Sequence, residues 1–119
     1  MPVVVGFSTK PEGIAALKVA ADEARLRQAR VLVVPNTEAD DPGPHIDALT
    51  EAGVEWELRP APVTREIAEH LMEIADEVEA EMIVIGLRRR SPTGKLLLGM
   101  NAQRVLLDAG PPVLAVKAD

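Results

Sequence analysis

The chain has 119 residues, 47% of them apolar, and a formal net charge of −6. That length suits one domain, residues 1–119, rather than two, and the acidic balance argues against general binding to nucleic acid or to a membrane surface. With no cysteine there is no disulfide, no thiolate chemistry and no Cys-based zinc site.

Only Phe7 and Trp56 are aromatic, so the interior is expected to be built from Val, Ile, Leu, Ala and Met. No stretch approaches the roughly 20 apolar residues of a membrane span. The N-terminal MPVVVGF lacks the basic region and long apolar run of a signal peptide. Cytoplasmic residence is therefore expected, with neither a membrane nor nucleic acid as partner.

Val3 to Val5 form a continuous apolar run ending at Gly6, which reads as a buried strand. Ser8 and Thr9 are expected to cap the next helix, with Pro11 in its first turn. Ile14, Leu17, Ala21 and Ala24 recur at helical spacing, and Lys18, Asp22, Arg25 and Gln28 lie between them, so this helix has one dry side. Val31 to Val34 are a second buried strand. Residues 36–44, NTEADDPGP, are turn chemistry throughout, with Asp40 and Asp41 as turn formers. Ile46, Leu49 and Ala52 support about two helical turns closed by Gly53.

Val54, Trp56 and Leu58 alternate with Glu55, Glu57 and Arg59, the pattern of a strand with one wet face near a sheet edge. Thr64 is the expected cap of a long amphipathic helix marked by Ile67, Leu71, Ile74, Ala75 and Val78. Its acidic residues, Glu66 to Glu79, read as a solvated face. Met82 to Ile85 form a fourth strand. Ala102, Val105, Leu106 and Ala109 give a last helix, with Asn101 and Gln103 capping and decorating it. Gly110-Pro111-Pro112 stops that helix, and Val113 to Val116 form a fifth strand.

The order βαβαβαβαβ implies an α/β domain with a parallel sheet, right-handed crossovers and helices on both faces. In such sheets ligands bind beyond the carboxyl ends of the strands, where strand order reverses. The loops after the first and fourth strands, Ser8 to Gly13 and Gly86 to Gly99, are the natural candidates. The second loop dominates the reading. Between Met82 and Ala102 a strand breaks at Gly86, passes Arg88, Arg89, Arg90 and Lys95, breaks again at Gly94 and Gly99, and opens a helix. Glycines permit close backbone approach, and free N–H groups at a helix N-terminus favour negative charge. The alternative is that these arginines serve solubility or bridge the acidic helix face. The segment SPTGK is not a Walker loop, because the glycine needed at position 89 is arginine.

Val3 to Ala24 and Gly86 to Lys117 resemble the first strand–loop–helix unit and the C-terminal signature of the universal stress protein family. The resemblance covers essentially the whole chain. It implies a doubly wound five-stranded parallel sheet in the order 3-2-1-4-5, of the adenine nucleotide alpha-hydrolase-like type. It also implies homodimers formed by antiparallel pairing of the last strands, here Val113 to Val116. Many members bind ATP through a glycine, two residues, a second glycine, nine residues, and a glycine followed by Ser or Thr. Gly86 and Gly99 fit the first and third glycines. Arg89 stands at the second, Met100 at the hydroxyl, and Ser8 where the family carries an acidic residue. The nucleotide- or anion-binding set on this resemblance is Gly6, Phe7, Ser8, Thr9, Pro35, Gly86, Arg88, Arg89, Gly94, Lys95, Gly99, Met100 and Asn101, with ATP and Mg2+ as the implied ligand.

Nothing in the sequence makes a catalytic constellation. His45 and His70 fall on separate helices without metal spacing and read as surface residues. Met72, Met82 and Met100 read as gap fillers. Two functions stay open: a stress-response regulator that binds an adenine nucleotide, and a dimeric interaction module of the same fold that does not. A small phosphate-ester enzyme is a third and weaker reading.

Overall fold

The computed structural model describes residues 1–60, 66–88 and 99–118. The elements run β1 (Val3–Phe7), α1 (Pro11–Arg27), β2 (Val31–Pro35), a 3-10 turn (Gly43–His45), α2 (Asp47–Glu51), β3 (Trp56–Leu58), α3 (Ile67–Glu77), β4 (Met82–Leu87), α4 (Met100–Asp108) and β5 (Val113–Lys117). All five strands join one parallel sheet in the order β3-β2-β1-β4-β5. That is the architecture the resemblance implies.

The unbroken apolar runs follow from burial on both faces of the sheet. Val4 lies between Leu32 and Ile83 in register, and these three belong to the core against α3 and α4. Val3, Val5, Val31, Val33 and Val84 point the other way, into the core with Phe7, Leu17, Ala20 and Ala24. Alanines on α1 let that helix lie close to the sheet. The helix ends at Gln28, a left-handed residue at φ 55° whose N–H returns to the helix carbonyls.

Several boundaries differ from expectation. β1 and β4 continue through Gly6–Phe7 and Gly86–Leu87, because glycine within a parallel strand still offers its backbone to the ladder. Lys10, not Ser8 or Thr9, holds the N-cap position of α1, and no side chain caps it. Likewise Gly99 occupies the N-cap of α4, so Asn101 does not cap that helix. Met100 is 82% exposed and fills no gap. His45 and His70 are half-buried rather than surface residues, and the His45 ring lies 6.0 Å from that of Phe7. The Thr64 cap lies outside the described residues.

At the β3 edge the strand alternates as expected, but its apolar face is only partly covered, with Trp56 and Leu58 each 43% exposed. In a parallel pair, registered residues share a face. Trp56 and Leu58 pair with Val31 and Val33, on the α1–α2 side, where the five residues of α2 are too few to cover them. The opposite face carries Arg59, which reaches Glu57 and, at 3.8 Å, Glu77 of α3. The hydrogen bond from Arg59 is the main cause that holds the Glu57 carboxyl below its ordinary value. On the other side of α3, Arg104 of α4 joins Glu66 and Glu69.

Two glycines bring the carboxyl ends of β1 and β4 against the start of α1. A Cβ on Gly13 would overlap the backbone and hydroxyl of Ser8. One on Gly86 would lie 2.6 Å from the carbonyl carbon and 2.9 Å from the Cβ of Glu12. Overpacking at such a backbone contact costs about 1–3 kcal/mol. Gly86→Ala is therefore expected to lower the denaturant midpoint by that amount without changing the unfolding slope. An unaltered midpoint would show that the α1–β4 approach is loose.

Candidate functional site

β1 pairs with β2 on one side and β4 on the other, both parallel, so the order in which successive strands are laid down reverses at β1. Beyond the carboxyl ends of β1 and β4 lies a cleft of about 400 Å³, within the range of small-ligand sites. Gly6 and Gly86 form its floor. The first turn of α1 makes one wall with Lys10, Glu12 and Gly13. Asn36, Thr37 and Asp40 of the β2–α2 loop make a second. The third is the first turn of α4, from Gly99 to Ala102, with Arg88 at the rim.

The α4 wall has anion-binding character. Gly99 is extended at φ −68°, ψ 165°, no side chain caps the helix, and its first turn holds no acidic residue. The first intrahelical bond runs from Gln103 N–H to Gly99 C=O at 3.0 Å. The N–H groups of Met100, Asn101 and Ala102 thus precede the helical ladder and carry the positive end of the helix dipole. A Cβ on Gly99 would meet nothing within 4 Å among the described residues. Among the described residues neither packing nor backbone angle requires glycine there, whereas Gly86 is demanded by Glu12, and Gly99 lines the cleft.

The opposite wall is set by one carboxylate. Asp40 Oδ1 accepts hydrogen bonds from the N–H and hydroxyl of Thr9, both at 3.0 Å. Its Oδ2 accepts from the N–H and hydroxyl of Thr37 at 3.1 and 3.0 Å. Partial burial works to raise the Asp40 carboxyl, and the bonds from Thr9 and Thr37 outweigh it, so it lies below its ordinary value. All four acceptor positions are used, and the β1–α1 and β2–α2 loops are tied together across the cleft mouth.

Of the residues expected to bind, Gly6, Ser8, Gly86, Arg88, Gly99, Met100 and Asn101 line the cleft. Ser8 is 8% exposed and packs against Gly13. Thr9 is drawn into the Asp40 clamp. Phe7 is fully buried in the core, and Pro35 lines a neighbouring groove. Arg89, Gly94 and Lys95 lie outside the described residues. The cleft residues absent from that set are Lys10, Glu12, Gly13, Asn36, Thr37, Asp40, Leu87 and Ala102. Only Asp40 left a trace in the sequence: a Thr three residues before an Asp within a turn segment is a pattern for local side-chain-to-backbone bonding.

The sequence profile of the universal stress protein family matches residues 1–117. A universal stress protein of Mycolicibacterium smegmatis is 40% identical, with 97% of this chain and 96% of that one covered. A universal stress protein structure from Archaeoglobus fulgidus superposes with a TM-score of 0.85 at 34% identity, covering 98% of each chain. A second structure from that organism, in complex with dAMP, has a TM-score of 0.77 at 27% identity over 98% of each chain.

The clamp yields a test. Removing its acceptor with Asp40→Ala should cost about 1–2 kcal/mol of stability at neutral pH. Because the folded-state carboxyl lies below the reference value of 3.8, its contribution is complete above that pH and is lost as pH falls through the folded value. The difference between wild type and Asp40→Ala in urea unfolding should therefore shrink below about pH 3.8. A difference that persists undiminished in acid would assign the cost to something other than the carboxylate.

Proposed function

This chain belongs to the universal stress protein family, and we propose that its cleft binds an adenine nucleotide, with the phosphate nearest the sugar at the N-terminus of α4. The observation that carries the reading is the uncapped first turn of α4, opening on a cleft of about 400 Å³ beside a glycine that no neighbour among the described residues requires. Helix N-termini of this kind bind phosphate through free N–H groups and the helix dipole. The related protein solved with dAMP supports the ligand class. Lys10 and Arg88 add positive charge at the rim, and Arg88 has the donor fork suited to phosphate oxygens. The two loops held by Asp40 form the base-and-sugar end, where the Asp40 oxygens are committed to Thr9 and Thr37.

The wider ligand, ATP with Mg2+, would be held at its first phosphate by the same turn. The chain's contribution is binding and orientation, in keeping with a regulator whose state reports nucleotide level. Titration calorimetry with AMP, and separately with ATP and Mg2+, tests this. Binding below about 1 mM is expected. Gly99→Asp should abolish it by placing a negative charge at the phosphate position, and Met100→Ser should strengthen it several-fold by restoring a hydroxyl donor. Absence of heat with both ligands would remove the nucleotide reading.

A second copy of the chain is proposed as partner through β5. This strand forms one edge of the sheet. Because Ile83 N–H donates to Pro112 C=O at 2.9 Å, alternation turns the peptide groups of Val113, Ala115 and Lys117 outward. An open edge of this type is a template for pairing. Ala115→Pro removes an outward N–H and leaves the inward ladder intact, so it should convert dimer to monomer in sedimentation velocity. A dimer that persists would place the interface elsewhere.

A further inference from the structure

The β3 edge of the sheet carries a second groove, which shares Thr37 and Asp40 with the wall of the cleft. Beside β3 lies a groove of about 400 Å³ with an apolar floor of Pro35, Pro42, Leu58 and Pro60. Its rim carries Glu38 and Asp41, and among the described residues neither pairs with a cation and no Lys or Arg lines the groove. Leu58 is 43% exposed there, and Trp56, two residues earlier on the same face, is equally exposed. The backbone of β3 is also open. Val31 N–H donates to Glu55 C=O and Arg59 N–H donates to Val33 C=O, at 2.9 and 2.8 Å. The odd-numbered residues therefore face β2, and the peptide groups of Trp56 and Leu58 face outward.

We infer that this groove and the outer edge of β3 together dock an extended, basic and apolar segment of a partner protein. Added strands gain affinity from main-chain hydrogen bonds and specificity from alternate side chains. On the groove side of such a strand, apolar side chains cover Leu58 and the prolines, and lysines or arginines further along the same side meet Glu38 and Asp41. Charge decides the occupant. A second copy of this chain, with net charge −6, brings like charge to an acidic rim, whereas a cationic segment is attracted to it.

Trp56 is the only tryptophan and the chain has no tyrosine, so its fluorescence reports occupancy directly. The probes are an eight-residue peptide carrying valine, valine, lysine and lysine at alternate positions with threonine between them, and its counterpart with glutamate in place of lysine, titrated into the full chain without nucleotide. A saturating blue shift with the lysine peptide is expected, with Kd below about 1 mM. Leu58→Arg and, independently, Glu38→Lys should weaken it at least about tenfold. Both substituted positions are exposed, and circular dichroism verifies that each variant folds. Failure of the lysine peptide to bind, equal binding of the glutamate peptide, or indifference to both substitutions would overturn the proposal. So would concentration-dependent self-association that Leu58→Arg removes, which would assign the groove to a second copy. Because no nucleotide is present, these outcomes are separate from the fate of the cleft reading.

Discussion

The molecule depends on one close approach: the first turn of α1 resting on the ends of β1 and β4. Gly86 admits Glu12, and Gly13 admits Ser8. Without these two missing side chains, α1 could not sit low enough to carry the β1–α1 loop beside the β4–α4 loop. The cleft exists because the two loops emerge from neighbouring strands and are held there by backbone contact. Core alanines along α1 extend the same fit down the length of the helix.

The cleft walls do different work. The α4 turn presents unused donors and a positive dipole end. The Asp40 wall has its donors and acceptors matched among Thr9, Thr37 and the carboxylate. One wall is prepared to accept charge, while the other supplies shape. The Asp40 carboxylate comes from the β2–α2 loop and is already occupied.

The fold was legible because burial on two faces leaves an unmistakable mark. Val3 to Val5 and Val31 to Val34 read as buried strands and Met82 to Ile85 as the fourth strand, and all lie at the middle of the sheet. Strand ends were less legible, since Gly6 and Gly86 interrupt the apolar pattern without interrupting the ladder. Capping was misread at Thr9 because the competing partner, Asp40, lies 31 residues away, beyond any local pattern. For the candidate site, glycine spacing pointed to positions that line the cleft but conflated two physical causes. Gly86 answers to a neighbouring helix, and Gly99 meets no neighbour among the described residues. Only coordinates separate these.

The shortness of α2 has a consequence for how the molecule comes apart. With five residues, it leaves β3 attached by a brief ladder and thin apolar cover, whereas β1 and β4 are sealed from both sides. Opening free energies follow local burial. The outermost strand can therefore fray while the central three stay closed. Amide exchange should rank them in that order. Sequence changes at the exposed positions of β3, away from the Asp40 clamp and the buried Leu49, carry little penalty for the cooperative centre, which gives this strand freedom to diversify.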